Sequence, residues 1–470
     1  MHLFSSAADH YNDDWEICLV KLSLFLFCVT SFLAAQNVDT TESVLTKITG
    51  LLAASKYNEA IALFDTIPLP DRDSSRLKLI KASVLSSAGR LAEAKTIAEA
   101  VSKAEPNNTE AILILAAIEG AQGRTRQQQA ALERVIKIEP DNTEALIDLG
   151  NIRLKNRSFR AAASHFHKVL TKQPENAAAL IGLSRAFRMN KEWEGAENIL
   201  NRLVKLYPEM PEARSERARF YWGRGFLVQA LEDLNEAKKL APNDYWIAAD
   251  RGSLLVDMNR KPAALEEFNR AIALNPSEHL AYIYSSGLKD DLGDPDAAEK
   301  DYAILSKLKP DYHYGLEGLG LHKMRKGSWQ EARSAFTEAY KQAPDEHYYG
   351  LLAAINWMRM GDITAPRQFL QQLQTRLTRD TLEWHMVRLF FDLTARNFTG
   401  ESDMVVRLDR ETDDVLKARM LFYMAQYYDI RNMTNLANRH FLMVRDMNIR
   451  SIPEWRLNEW IIASRNLRSN

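Results

Sequence analysis

The sequence has 470 residues, a length that by itself predicts about three globular domains. Hydrophobic residues make up 46% of it and charged residues 26%, which excludes a disordered, tail-like chain. The 61 Lys and Arg residues balance 62 Asp and Glu residues, so the basic excess typical of a nucleic-acid-binding protein is missing. Only Cys18 and Cys28 are present, which excludes a disulfide scaffold and a thiolate zinc cluster.

Residues 1–35 have the features of a leader segment. An uncharged apolar run from Leu22 to Ala35 follows Lys21 and ends in small residues, which is typical of a secretory signal peptide. Acidic residues before this run do not suit a signal peptide, so we expect the true start near Val20. Removal of the leader would place the protein in the periplasm or cell envelope of a bacterium, with no membrane span in the mature chain. Retention as an uncleaved anchor helix is the alternative.

From residue 75 onwards the sequence repeats with a period of 34 residues. Prolines mark the register at Pro106, Pro140, Pro174, Pro208, Pro242, Pro276, Pro310 and Pro344. Small residues recur twenty-four positions before each proline, and alanine recurs twelve positions before all but one of them. Large apolar residues predominate eight positions before. A fixed period of this length indicates a repeat architecture and not separate globular domains.

Each repeat has the pattern of a helix, a turn and a second helix. In the repeat 143–176, apolar residues follow helical spacing on both sides of a polar turn, and Pro174 ends the second helix. Gly150 and Ala162 lie where the two helices approach, which explains why they are small. Phe166 is predicted to fill the space between one hairpin and the next. Such hairpins bury their apolar faces only by stacking on each other.

These small, aromatic and proline positions resemble those of the tetratricopeptide repeat family. The resemblance implies an all-α fold, a right-handed superhelical solenoid of about ten to eleven stacked antiparallel helix hairpins. We expect a regular array of about nine repeats at 36–346, degenerate repeats at 347–451, and a C-terminal capping helix at 452–470.

In this family the first helices of the hairpins line a concave groove, at positions 2, 5, 9, 12 and 13 of each repeat. That register selects a run of basic, then aromatic, then mostly acidic candidates for partner binding: Arg185, Arg188, Arg219, Trp222, Trp246, Asp257, Asp290, Asp291, Tyr314 and Arg325. Arg and Trp are enriched at binding hot spots. We therefore predict that a protein or peptide partner binds along residues 181–325, with its acidic part near the arginines. Alternatively the charges form a solvated face and the tryptophans pack between repeats.

The sequence predicts a protein without enzymatic activity, cofactor or metal site. Gly315, Gly318 and Gly320 do not have the spacing of a dinucleotide-binding loop, and we expect them to serve close helix packing. The leading hypothesis is an exported scaffold or adaptor that binds a protein partner in its groove, with no nucleic-acid partner.

Two alternatives remain open at this stage. One is an accessory subunit of envelope polysaccharide or peptidoglycan machinery, which would bind a glycan or an enzyme through Trp222, Trp246, Tyr314 and Tyr348. The other is an enzyme with its catalytic residues in 381–417, although this stretch has room for only about one helical hairpin.

Overall fold

A computed structural model describes residues 41–468, so the predicted leader lies outside the described residues. Between these limits the chain forms 25 α-helices and no β-strand. Its contacts divide it after Leu240 into two compact units, 41–240 and 241–468. In both units most helices pair into antiparallel hairpins, because each helix carries apolar residues that become buried when it packs against its sequence neighbour.

The first unit contains six hairpins. Their helices are α1 (Thr41–Ala53), α2 (Tyr57–Leu63), α3 (Ser75–Ser87), α4 (Leu91–Ala104), α5 (Thr109–Ala121), α6 (Thr125–Ile138), α7 (Thr143–Lys155), α8 (Phe159–Lys172), α9 (Ala177–Met189), α10 (Trp193–Leu206), α11 (Pro211–Gly223) and α12 (Leu227–Leu240). Two short 3₁₀ turns, Phe64–Thr66 and Asp71–Asp73, connect the first hairpin to the second.

The second unit contains six further hairpins and a last single helix. Its helices are α13 (Tyr245–Asp257), α14 (Lys261–Leu274), α15 (His279–Asp291), α16 (Pro295–Leu308), α17 (His313–Arg325), α18 (Trp329–Gln342), α19 (His347–Arg359), α20 (Arg367–Arg376), α21 (Leu382–Thr394), α22 (Glu401–Arg410), α23 (Asp414–Ile430), α24 (Thr434–Met447) and α25 (Pro453–Ser464). The described chain thus has twelve hairpins where about ten to eleven were expected, because 381–417 also folds into a hairpin, α21 and α22.

The repeat positions have the packing roles predicted from the register. Phe166 on α8 is fully buried between two glycines, one on its own hairpin and one on the next. A Cβ atom at Gly150 would lie 2.6 Å from the Phe166 ring, and one at Gly182 would lie 2.3 Å from it. The aromatic ring therefore occupies the space that the missing side chains leave, which confirms its predicted place between hairpins.

The glycines of α17 also serve close packing, as predicted. A Cβ atom at Gly318 would lie 2.3 Å from the Tyr302 ring, and one at Gly320 would lie 2.7 Å from the Phe336 ring. Real carbon atoms do not approach so closely, so α17 can pack against these rings only with glycine at both positions.

An asparagine before the first helix of a repeat fixes where that helix begins. The Asn142 side-chain oxygen accepts a hydrogen bond from the Ala145 backbone N–H at 3.0 Å, and Asn108 and Asn176 form the same bond in their own repeats. This N-cap satisfies a backbone donor that the helix leaves unpaired. Helix starts therefore recur with the 34-residue period.

After residue 346 the hairpins continue with less regular packing. Pro366 stands at the N-cap of α20, so this helix begins directly after a proline. Ala425, Ala437 and Phe441, which carry the repeat signal of the last hairpin, are fully buried. Helix α25 follows α24 after a short connection in which Asn448 adopts a left-handed conformation with φ of 53°.

Candidate functional site

All ten candidate residues lie on first helices of hairpins, but they divide between the two units. The first unit holds Arg185 and Arg188 on α9, and Arg219 and Trp222 on α11. The second unit holds the other six on α13, α15 and α17: Trp246, Asp257, Asp290, Asp291, Tyr314 and Arg325. A single binding surface along residues 181–325 therefore stays a prediction.

In the first unit, three arginines surround one buried glutamate. Arg185 Nη2 donates to Glu216 Oε1 at 2.6 Å, and Arg219 Nη1 donates to the same oxygen at 2.7 Å. The Glu216 side chain is only 3% exposed. Arg188 lies one helical turn from Arg185 on the same helix. We call Arg185, Arg188, Glu216 and Arg219 the arginine cluster.

The charges in the arginine cluster act strongly on one another. Burial alone would raise the pKa of the Glu216 carboxyl, but Arg185, Arg219 and Arg188 outweigh it and hold that pKa far below its usual range. Glu216 is therefore ionised at every physiological pH. Its charge compensates part of the repulsion among the guanidinium groups.

Arg188 is the arginine of the cluster whose positive charge is least compensated by Glu216. Its side chain forms no hydrogen bond or ion pair with the residues between 41 and 468, although Glu216 is near enough to attract it. Its pKa is lowered by burial, against the attraction of Glu216, and further by the like charges of Arg219 and Arg185. A partly buried guanidinium in this position favours an incoming anionic group.

Aromatic candidates accompany the cationic and anionic ones. Trp222 is half-buried at the end of α11, three residues after Arg219. In the second unit, Trp246 is half-buried, and the centre of its ring lies 5.0 Å from that of Tyr245. Tyr314 is also half-buried, and the centre of its ring lies 4.0 Å from that of His313. Asp257 ends α13 and is exposed. These side chains lie at helix surfaces and leave part of their area to solvent.

Two acidic candidates of the second unit, Asp290 and Asp291, bind α25, the last helix among the described residues. Arg456 on α25 donates from Nη1 to Asp290 Oδ2 at 2.6 Å and from Nη2 to Asp291 Oδ1 at 3.2 Å. The Asp290 side chain is 1% exposed, and His322 Nε2 lies 3.0 Å from its other oxygen. Lys261 forms a second ion pair with Asp291 at 2.9 Å.

The same helix places a tryptophan beside Arg325, another candidate. The Arg325 guanidinium lies 5.6 Å from the centre of the Trp460 ring, within the range of a cation–π contact. The centre of the His322 ring lies 4.8 Å from the centre of the Trp460 ring. We call Asp290, Asp291, His322 and Arg325 the α25 contact surface. Helix α25 packs on α24, as a capping helix would, and it also covers the α25 contact surface.

Beside the α25 contact surface lies a group of buried carboxyl and phenol side chains. Tyr348 and Tyr349 donate to Glu317 Oε2 at 2.7 and 2.8 Å, and Tyr423 donates to Glu454 Oε1 at 2.8 Å. Burial raises the pKa of Glu317 to about 7, although the two tyrosine hydroxyls oppose the shift. Tyr348, which the glycan-binding alternative uses as a platform, is only 7% exposed.

Sequence reasoning missed the residues that organise both clusters. Glu216 stands at position 6 of its repeat, and a charged residue at this buried position was a usable signal. Arg456 and Trp460 stand four residues apart on an amphipathic helix, which shows that they share a face. No local pattern indicates that this face would meet residues more than 160 positions earlier.

Residues 41–468 contain neither a metal-binding group of side chains nor a helix suited to span a membrane. No group of three or more His, Cys, Asp or Glu side chains in this range could hold a metal ion. No helix in this range is both long and apolar enough to cross a membrane.

Comparison with known proteins identifies the repeats. Family models described as tetratricopeptide repeat match residues 153–220 and 288–347. A search of curated proteins gave no match.

Solved structures resemble parts of the chain at low sequence identity. A tetratricopeptide repeat protein from Parabacteroides merdae is 16% identical with a TM-score of 0.45, covering 53% of this chain and 99% of its own. PilW, a type IV pilus biogenesis factor, is 19% identical with a TM-score of 0.41, covering 44% and 96%. YrrB, described as having an unusual peptide-binding site, is 18% identical with a TM-score of 0.30, covering 39% and 95%.

The structural likenesses concern the fold alone, while the two family matches fall on hairpins that the 34-residue register defines. The first match spans α8 to α10 with parts of α7 and α11, and the second spans α16 to α18 with parts of α15 and the start of α19. Helix pairing, buried small residues and repeat length agree with these matches. The chain therefore contains tetratricopeptide repeats at 153–220 and 288–347.

Proposed function

We propose that this protein is an exported scaffold or adaptor that binds an acidic segment of a partner protein at the arginine cluster. Tetratricopeptide repeats form interaction surfaces from stacked hairpins, and such surfaces bind proteins and peptides. The observation that supports this site is Arg188, a partly buried guanidinium held beside two other guanidinium groups.

The chemistry of the cluster favours a carboxylate ligand. A guanidinium offers donors in a planar fork that matches the two oxygens of a carboxylate. Arg185 and Arg219 are oriented by Glu216, so the positive side chains are held in place before a ligand arrives. An Asp or Glu side chain or a terminal carboxylate next to Arg188 would relieve the repulsion among the three arginines.

Trp222 extends the proposed site with an apolar contact. It follows Arg219 by one turn of α11, so both side chains lie on similar sides of the helix. Tryptophan supplies a large contact area at interfaces. We therefore expect a partner segment in which an apolar residue is near an acidic one.

Export is the part of the proposal that depends on the sequence alone. The apolar run from Leu22 to Ala35, after Lys21, supports it. Cell fractionation and N-terminal sequencing of the purified protein test it. A mature chain that begins soon after Ala35 is expected, whereas a cytoplasmic protein that retains residues 1–16 would contradict both export and the start near Val20.

The binding proposal is tested by capture from a cell-envelope extract with the full chain as bait. Partners cross-linked to wild type are identified by mass spectrometry, and their affinities are measured for Arg188→Met and Arg160→Met. We expect Arg188→Met to weaken binding by about tenfold or more. Arg160 is exposed on the second helix α8, so Arg160→Met is the matched control and should bind like wild type. Equal affinities for all three baits would overturn the proposal.

A further inference from the structure

We propose that the α25 contact surface is a recognition site for a partner helix, and that α25 is its intramolecular ligand. The partner that fits is a helical segment with an arginine and, four residues later, an aromatic residue. It would bind only in competition with α25. This inference does not depend on the arginine cluster, which lies in the other unit.

The contacts of α25 define what the surface recognises. Arg456 bridges the carboxylates of Asp290 and Asp291, a bidentate arrangement that Lys could not reproduce. Trp460 lies one turn further along α25, against His322 and Arg325. Because residues four apart share a helix face, one helix presents both groups to the surface at once.

Charge complementarity explains why this surface needs an occupant. The Asp290 side chain is 1% exposed. His322 and Tyr302 contact its oxygens at 3.0 and 3.3 Å, and the arginine paired with it at 2.6 Å comes from α25. A buried carboxylate without a cationic partner is costly, so the surface binds either α25 or another helix with a positive group at that place.

The short connection between α25 and the preceding hairpin makes exchange feasible. Only Asn448 to Ile452 connects it to α24, so α25 can leave without breaking any hairpin. The Arg456 side chain is still 31% exposed, and Trp460 is half-buried, so this edge of the helix is reachable from solvent. Departure would uncover Leu321 and Met324, which are each 4% exposed and belong to the same apolar core as Leu457.

The test uses the full chain and a fluorescent peptide of residues 450–466 as the probe. Fluorescence anisotropy should show weak binding to wild type, because α25 occupies the site. The variant Arg456→Ala/Trp460→Ala, which loosens α25, should bind the peptide about tenfold more tightly. Adding Asp290→Asn should remove this gain. Ser464→Ala, an exposed position on α25, is the control and should behave like wild type.

Two results would overturn the inference. One is a double variant with wild-type helix content that binds the peptide no better than wild type. The other is a gain in peptide binding that survives Asp290→Asn, since the peptide would then be binding elsewhere.

A second measurement applies if the double variant loses helix content. Excess unlabelled peptide is added to ¹⁵N-labelled wild type, and hydrogen exchange is followed at the Leu457 and Trp460 amides. Faster exchange is expected as the peptide displaces α25, and unchanged exchange would contradict the inference. Concentration-dependent dimers of wild type that disappear with Trp460→Ala would assign the surface to a second copy of the chain instead.

Discussion

Arg217 on α11 donates two hydrogen bonds to the Asp233 carboxylate on α12, from Nε at 2.7 Å and from Nη2 at 2.8 Å. The same two repeat positions hold polar pairs in the next two hairpins: Arg251 with Glu267, and Ser285 with Asp301. Three successive hairpins thus join their two helices through a buried acidic side chain. The acid stands one position before the large residue that fills the space between hairpins.

Removing this acid from one hairpin should destabilise the first unit. Asp233→Ala leaves Arg217 and Arg214 without their carboxylate partner in a mostly buried position, which we expect to cost about 3 kcal/mol of unfolding free energy. Urea denaturation followed by circular dichroism measures the change. Glu232→Ala, at the exposed neighbouring position, is the control and should change the free energy by less than about 0.5 kcal/mol.

A second prediction concerns glycine packing against Phe166. Gly182→Ala places a methyl group in contact with the ring, and we expect a loss of about 1–3 kcal/mol from overpacking. Gly223→Ala should be neutral or stabilising, because nothing lies within 4 Å of the added atom and alanine favours helix. Thermal unfolding of both variants checks the contrast. Equal effects of the two substitutions would show that the close contact between Gly182 and Phe166 does not determine the loss of stability.

A third prediction separates the two arginines of α9. Arg185→Met removes a donor from the buried Glu216 and should cost about 1–2 kcal/mol of unfolding free energy. Arg188→Met removes a like charge from the cluster without breaking a hydrogen bond and should leave stability unchanged or higher. The urea midpoints of the two variants measure this difference. Destabilisation by Arg188→Met would indicate a structural role in place of the proposed binding role.

The fourth prediction is a pH dependence that comes from Glu317. Its pKa is raised from 4.5 in the unfolded chain to about 7 in the folded protein, so the folded state holds the proton more tightly. Stability from this group is fully present below pH 4.5 and is lost as pH rises through 7.

The variant Glu317→Gln, which is neutral at every pH, should reveal this dependence. Its unfolding free energy relative to wild type should rise between pH 4.5 and 8, by up to about 3 kcal/mol at 1.36 kcal/mol per pKa unit. Urea denaturation of both proteins across this range provides the measurement. Glu338→Gln, at an exposed position on α18, is the control for the loss of a surface carboxyl. A difference between Glu317→Gln and wild type that does not change with pH would contradict the raised pKa.

The hairpins could be predicted from the sequence because their determinants are local and repeated. Gly150, Ala162 and Phe166 each stand at a fixed distance from Pro174, and a periodic signal reveals their packing roles without a structure. The division after Leu240 has no such signal, since the 34-residue register continues across it.

The candidate site was predictable only in part, because its organisation depends on contacts between distant residues. The family register selected Arg185, Arg188 and Arg219, but it did not indicate that Glu216 would hold two of them together. Asp290 was selected as a partner-binding residue, and in the structure its cationic partner comes from Arg456, 166 residues later. Contacts between such distant residues depend on how the hairpins of the second unit stack on one another. The spacing of apolar residues does not specify this stacking.

The asparagine caps have a consequence for how such a chain changes length. Each cap bonds in both directions: Asn142 accepts from Ala145 ahead of it and donates to Glu139 behind it at 2.7 Å, and Asn108 and Asn176 do the same. All partners lie within three residues of the asparagine. A duplication or deletion of 34 residues that begins after one of these caps therefore restores the same pair of cap hydrogen bonds at the new junction. The array can gain or lose whole hairpins at these places while the asparagine caps keep their local hydrogen bonds.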